Sequence, residues 1–297
     1  MLPRVSIITA TRNLIDAGRK DFFRQCVESV RMQDYPDIEH LIIDGASTDG
    51  TVALLQELGA NFVSEPDTGV YNAFNKGIKK ANGKYVAFLC SDDFYTRKDA
   101  LSMVIQALER DDGDFTCAPV VLVEENGSQR ISRPHWGIML SATPFCTGSM
   151  FVSKKILNEL NGFDERYAVF ADYDFMIRAM QSLYRPIEID RPFVAFRTNG
   201  ISSNPKIQHE RLNIIKDRFG MSDKQAMRAF TYGFAPFGIV KEFLKRNTTF
   251  PNPKELKTEN LKRFLKYIRK QLITLHLRKG KRFFRLFGIT FYDEVKS

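Results

Sequence analysis

The stretch Gly83-Lys84-Tyr85-Val86-Ala87-Phe88-Leu89-Cys90-Ser91-Asp92-Asp93 carries an unbroken apolar run, Tyr85 to Cys90, straight into two adjacent carboxylates. A run that short, rich in aromatic and β-branched side chains, reads as a strand buried on both faces of a parallel sheet. Ligands of open α/β sheets sit in the crevice beyond the carboxyl ends of the strands, and Asp92 and Asp93 stand at such an end. Two like charges held there are costly unless a positive group accompanies them. A divalent cation is the simplest such group. A helix-capping turn is the plainer alternative, because Ser and Asp are common caps.

Before this strand, Val5–Ala10 reads as a short buried strand followed by the polar turn Thr11-Arg12-Asn13. Phe22, Phe23, Cys26, Val27 and Val30 then recur at helical spacing between about Ile15 and Met32. Ile38–Asp44 is a second strand, ending in Asp44-Gly45-Ala46-Ser47-Thr48-Asp49-Gly50. The glycines there permit positive φ, and Ser47, Thr48 and Asp49 offer caps for a helix over Thr51–Leu58. Asn61–Ser64 is a third strand, ending at Glu65-Pro66-Asp67, and a helix from Gly69 or Val70 to about Ala81 leads back to the strand over 84–90. Downstream the pattern gives a helix near Asp99–Glu109 capped by Asp99, and a hairpin of Phe115–Val123 with Gln129–Ser132. It continues with a strand over Cys146–Val152, helices over Lys154–Leu160 and Asp172–Gln181, and short strands at Pro186–Ile189 and Phe193–Phe196. Strand–helix alternation across the first third of the chain predicts a mainly parallel α/β sheet with right-handed crossovers.

Acidic groups cluster at the predicted strand ends: Asp44, Glu65 with Asp67, and Asp92 with Asp93. Neighbouring parallel strands would bring these ends to one edge as a single acidic crevice. Carboxylate oxygens suit Mg2+ or Mn2+, and two acids hold such an ion weakly unless substrate phosphates complete its shell. The implied ligand is a nucleotide diphosphate with its metal. A dinucleotide site needs a glycine-rich first turn, whereas Thr9-Ala10-Thr11-Arg12-Asn13 has none, and no GxxxxGK[ST] loop occurs. His40, His135, His209 and His276 are scattered, and Cys26, Cys90, Cys117 and Cys146 read as reduced core thiols.

Val5–Asn13, IIDGASTDGT (Ile42–Thr51), SEPDTGVYNAFNKGIKKANGKYVAFLCSDD (Ser64–Asp93) and FADYDFMIRA (Phe170–Ala179) together resemble glycosyltransferase family 2, the inverting GT-A enzymes, over about residues 4–200. The resemblance implies a GT-A, Rossmann-like fold with helices flanking a mainly parallel sheet. It implies that Asp44 contacts the nucleotide base and that the turn bearing Thr9, Thr11 and Asn13 lines the same pocket. Asp92 and Asp93 match the metal-binding DXD element, with Asp93 as the direct ligand of Mg2+ or Mn2+ and Asp92 beside it, nearer the ribose. Ser91 stands where the family often has Asp. The segment from Asp67 to Lys76 matches one beside the donor, with Asn72 in place of a common Asp. Asp172 aligns with the acid of the ED element, the catalytic base, and Ala171 replaces the Glu. Spacing alone also allows Asp172 to be a helix cap. No QxxRW signature of processive members occurs, which implies one sugar per visit. Trp136, in a predicted loop, would stack on a sugar ring or serve packing.

The net charge of +9 is uneven: residues 241–297 hold 16 Lys/Arg against 5 Asp/Glu, and residues 1–240 hold 28 against 30. From about Gln208 the pattern turns helical, and Leu261, Phe264, Leu265, Ile268, Leu272 and Leu275 share one side of the run Leu256–Leu277. The expected organisation is a GT-A catalytic domain over 1–205 and a basic helical region over 206–297. Basic amphipathic helices lie in anionic membrane interfaces, where a lipid-linked acceptor would be met. With no signal-peptide pattern and no uncharged run of transmembrane length, the expected location is cytoplasmic, peripheral on the inner face of the membrane. The expected activity is metal-dependent transfer of one sugar, with inversion, from a nucleotide-sugar donor to a glycan or lipid-linked acceptor in building a surface polysaccharide. A sugar-nucleotide nucleotidyltransferase would share the sheet but release pyrophosphate. A non-catalytic nucleic-acid binder would use the basic tail, bind with strong salt dependence and be indifferent to Asp93.

Overall fold

The structure, a computed structural model, describes residues 2–135, 138–182, 184–198, 200, 207–232, 234–236, 276–278, 281–286 and 289–294. Two compact units are present: Met1–Pro134 with Phe145–Phe175 and Tyr184–Ser203, and His135–Pro144 with Met176–Leu183 and Asn204–Ser297.

The first unit opens with β1 (Val5–Thr11), α1 (Lys20–Arg31), β2 (Ile38–Asp44), α2 (Thr51–Glu57), β3 (Phe62–Ser64), α3 (Val70–Lys80) and β4 (Tyr85–Phe88). β5 (Phe94–Tyr95), α4 (Ala100–Asp111), β6 (Phe115–Cys117), β7 (Val120–Val123) and β8 (Gln129–Ser132) follow. A 3-10 turn at Thr147–Ser149 leads to β9 (Phe151–Ser153), α5 (Lys154–Glu159), α6 (Ala171–Gln181), β10 (Pro186–Glu188) and β11 (Val194–Arg197). The main sheet has the order β10-β6-β9-β4-β1-β2-β3. Its strands are parallel except β9, which runs antiparallel to both β4 and β6. This is the mixed α/β, mainly parallel architecture expected from the alternation of elements.

β1 shows how both faces are filled. Val5 and Ile7 pack with Cys26 and Val30 of α1 and with Leu101, Val104 and Leu108 of α4. On the other face α3 crosses so closely that a Cβ on Gly77 would lie 2.5 Å from Ile8 Cγ2. Phe74 of α3, Phe88 of β4 and Phe163 form an aromatic cluster there, with centroids 4.8–6.0 Å apart, and Phe175 of α6 joins it through Phe163. A second sheet, β5-β11-β7-β8, lies beyond the Asp92-Asp93 end of β4 in sequence.

Several boundaries differ from the sequence expectation. The first helix begins at Lys20 because Ala17-Gly18-Arg19 forms a turn with Gly18 at φ +65. Asp99 precedes α4 without a side-chain capping bond, and its carboxylate instead accepts from Arg97 Nε and Nη2 at 2.8 and 2.7 Å. Phe115–Val123 is two strands rather than one: Pro119, which has no N–H to give a ladder, separates β6 of the main sheet from β7, which pairs with β8 and β11.

The second unit contains α7 (Gln208–Phe219) and α8 (Asp223–Tyr232), followed by β12 (Phe234–Pro236), β13 (His276–Arg278), β14 (Lys281–Leu286) and β15 (Ile289–Glu294). The last four form a sheet of order β12-β15-β14-β13. The all-helical reading of 206–297 is therefore corrected at its end: β13, β14 and β15 pair as antiparallel strands. Short, aromatic-rich segments punctuated by glycine are strand material, and basic composition does not alter that. The amphipathic run up to Leu275 and Trp136 lie outside the described residues. Among the described residues no helix is long and apolar enough to cross a membrane.

Gly77 yields a test. Alanine is the better helix former by ~1 kcal/mol, but overpacking against fully buried Ile8 costs ~1–3 kcal/mol. Gly77→Ala is expected to lower the urea midpoint, with sterics outweighing propensity; a raised midpoint would refute the close crossing of α3 over β1.

Candidate functional site

The carboxyl ends of β1, β2 and β3 meet at Asp44, which is fully buried. A buried carboxylate must be hydrogen-bonded, and four donors reach this one. Thr11 Oγ1 and Ser47 Oγ donate to Oδ1 at 3.1 and 2.6 Å, and Ser47 N–H and Ser64 Oγ donate to Oδ2 at 2.9 and 2.6 Å. Asn13, in the left-handed region at φ +47, clamps the same turn. Its N–H donates to Ser47 Oγ at 2.8 Å and its Oδ1 accepts from Thr48 N–H at 3.0 Å. Thr11, Asn13 and Asp44 are thus one hydrogen-bonded network. Thr9 is set apart from it: fully buried, its hydroxyl lies 3.1 Å from His40 Nε2.

Asp67 lies against the same turn because position 45 has no side chain; a Cβ there would sit 2.4 Å from Asp67 Oδ2. Its Oδ1 accepts from Gly69 N–H at 3.1 Å, ahead of α3, and lies 3.8 Å from Arg12 Nη1. Lys76 turns back to the end of β3, donating to Pro66 O at 2.6 Å with Glu65 Oε1 at 3.4 Å. Asn72 and Asn75 both donate to Glu165, at 2.9 and 2.8 Å, which ties α3 to the segment ahead of α6.

Asp92 and Asp93 follow β4. Asp92 Oδ2 pairs with Arg19 Nη1 at 3.1 Å. Asp93 is 1 % exposed, and burial, followed by the charge of Asp92, pushes its carboxyl well above the usual range. Arg197 of β11 partly offsets this. Its N–H donates to Asp93 Oδ1 at 3.1 Å, Nη1 donates to the Asp92 carbonyl and Nη2 to Gln25 Oε1 at 2.7 Å. The guanidinium also lies over Phe22 at 4.1 Å and near Phe94 at 5.0 Å. No sequence pattern marked Arg197 for this role, since a lone basic residue at a strand end carries no local signal. Among the described residues no three His, Cys, Asp or Glu side chains converge as a metal site. Two hard carboxylates, one destabilised as an anion by burial, fit a Mg2+ or Mn2+ ion whose other ligands come from bound phosphate.

Asp172 lies in the first turn of α6, inside the helix rather than capping it. Tyr173 N–H donates to its Oδ1 at 2.7 Å and Thr147 Oγ1 donates to its Oδ2. Two half-buried thiols relate it to the other carboxylates. Burial raises Cys90 and Cys146, and the charges of Asp93 and Asp172 both add to each shift. Acids eighty residues apart in sequence therefore act on the same pair of side chains.

A family model for glycosyl transferase family 2 matches residues 6–161. The chain belongs to glycosyltransferase family 2. An uncharacterized glycosyltransferase of Mycobacterium tuberculosis is 31% identical over 216 residues, covering 68% of this chain and 78% of that protein. A PGL/p-HBAD biosynthesis glycosyltransferase of Mycobacterium bovis is 28% identical over 191 residues, covering 61% and 71% respectively. Among solved structures, Staphylococcus aureus TarS 1–349 in complex with UDP-GlcNAc matches with a TM-score of 0.60 at 18% identity, over 90% of this chain and 80% of that one. The mannosyltransferase from Pyrobaculum calidifontis in complex with GDP-Man and Mn2+ matches with a TM-score of 0.56 at 18% identity, over 91% and 76%. The fold of this family 2 glycosyltransferase is thus GT-A.

His40, beneath the turn, gives a pH test. Burial, then the charge of Arg31, holds its imidazole down at about 4 from an ordinary 6.5. It is neutral in the fold and free to protonate when unfolded, so its contribution is full above pH 6.5 and lost as pH falls through 4. The urea-midpoint gap between the wild type and His40→Gln should be constant above pH 6.5 and narrow below it; a gap independent of pH would refute the assignment.

Proposed function

We propose that this glycosyltransferase moves one sugar from a nucleotide-sugar donor to a hydroxyl of a glycan or lipid-linked acceptor, with inversion at the anomeric carbon and with Mg2+ or Mn2+ bound at Asp92 and Asp93. The observation that carries the reading is geometric: the Asp172 carboxylate accepts from Thr147, whose turn leads directly into β9, and β9 pairs with β4, the strand that Asp92 and Asp93 follow. It supports a cation-holding pair and a proton acceptor carried by neighbouring strands of one sheet. The acceptor oxygen attacks the anomeric carbon and its proton passes to Asp172. The bond from that carbon to the diphosphate breaks, and its electron pair leaves with the nucleoside diphosphate. One displacement inverts the centre. The metal, when bound, supplies positive charge to the departing diphosphate. Thr11, Asn13, Asp44 and Asp67 would line the nucleotide end, with Lys76 beside it and Thr9 supporting the turn from below. Donors bound by the similar structures, UDP-GlcNAc and GDP-Man, support the substrate class.

The basic excess in residues 241–297 supports a cytoplasmic enzyme resting on an anionic membrane surface, where a lipid-linked acceptor would be reached.

Wild-type protein with Mn2+ is expected to release UDP or GDP from a member of a panel of UDP-glucose, UDP-galactose, UDP-N-acetylglucosamine and GDP-mannose. Asp172→Asn should cost at least about a hundred-fold in rate, within the range for general-base loss, with the donor Kd nearly unchanged. Asp93→Asn should abolish the rise in melting temperature that Mn2+ plus UDP or GDP gives the wild type. No release across the panel, or full activity in either variant, would overturn the reading.

A further inference from the structure

We propose that Thr147 is a positioning residue for Asp172, orienting the carboxylate toward the acceptor hydroxyl; this rests on the reading of Asp172 as the base. The base replaces a Glu–Asp pair of the family pattern with Ala171–Asp172, so no carboxylate precedes it to help set its orientation. Donors to both of its oxygens do so instead. Tyr173 N–H holds Oδ1 at 2.7 Å from within α6, and the Thr147 hydroxyl holds Oδ2 from a different part of the chain. A carboxylate gripped at both oxygens is fixed in rotation about its Cβ–Cγ bond.

The grip is useful only if Thr147 is itself immobile, and its surroundings make it so. The turn Thr147–Ser149 closes with Ser149 N–H on Cys146 O at 3.0 Å and Met150 N–H on Thr147 O at 2.9 Å. Fully buried Ser149 locks it to the main sheet: its hydroxyl donates to Cys146 O at 2.8 Å and accepts from Ala118 N–H at 3.2 Å, while its carbonyl accepts from Thr116 Oγ1 at 2.9 Å. β9 leaves this turn directly and pairs with β4, the strand that ends in Asp92 and Asp93. The holder of the base and the carrier of the metal-binding pair are thus adjacent rungs of one sheet. On the far side, the Tyr71 hydroxyl donates to Val169 O at 2.8 Å and pins the chain just ahead of α6. Thr147 and Asp172 are both half-buried, as groups that border a substrate cleft must be.

Position 147 demands a hydroxyl rather than bulk. Thr147→Val keeps the shape and removes the donor; Thr147→Ser keeps the donor and removes a methyl group; Thr147→Ala guards against a Val variant that fails to fold. Each is assayed with Mn2+ and whichever of UDP-glucose, UDP-N-acetylglucosamine and GDP-mannose the wild type hydrolyses fastest, alongside Asp172→Asn. A misdirected base is expected to lower kcat roughly ten- to a hundred-fold in Thr147→Val and Thr147→Ala. Donor KM should stay within about two-fold, because no donor contact is lost, and Thr147→Ser should recover most of the rate. Wild-type kcat in Thr147→Val with an inactive Asp172→Asn overturns the positioning role alone. Equal loss in the Ser and Val variants also overturns it, by showing that only packing matters. An active Asp172→Asn overturns the base assignment itself.

Discussion

The carboxylate of Asp44 is the constraint on which the site depends. Taking an ionised group out of water costs several kcal/mol unless it is fully satisfied, and this one draws its donors from β1, from the turn after β2 and from β3. Asp44 ties three strand ends together, and Asn13, in the left-handed region, bonds the turn that follows Asp44. About four acceptor positions exist on a carboxylate, and internal donors occupy that number. Any nucleotide resting here meets a surface shaped by Asp44 more than the bare charge of Asp44.

The end of β4 follows a different logic. Asp92 pairs with the Arg19 guanidinium, while Asp93 accepts from the Arg197 backbone N–H and the Arg197 guanidinium bonds the Asp92 carbonyl. Arg197 joins the second sheet to the end of β4 and lies over two aromatic rings, so it adds to the rigidity of this end as well as to its charge. One strand end is ordered by neutral hydrogen-bond donors and the other by charge.

Much of this was legible in the sequence. The apolar runs of β1, β2 and β4, each ending in acid or hydroxyl, announce both the sheet and the edge that carries the site, because burial on two faces leaves few other residue choices. Strand direction is not written locally, so β9 reads as a strand but not as an antiparallel one. Thr147 and Arg197 were invisible for a related reason: each acts on a partner 25 or 104 residues away, and nothing in the neighbouring sequence marks the pairing. The final strands were misjudged because KRFFRL (Lys281–Leu286) reads as a basic amphipathic helix by composition, while its length and flanking glycines favour a hairpin.

β6 and β9 are neighbours in the main sheet, yet residues 118–150 lie between them in the chain. Everything the polypeptide does in that interval begins and finishes at points a few ångströms apart, nailed by Thr116 and Ser149. Within it β7 is fixed by pairing with β11 and the Thr147–Ser149 turn by its bond to Asp172, so the stretch between these two anchors is where relatives can diverge while Asp172 keeps its holder. Variation confined there leaves both strands, and the groups they carry, where they are.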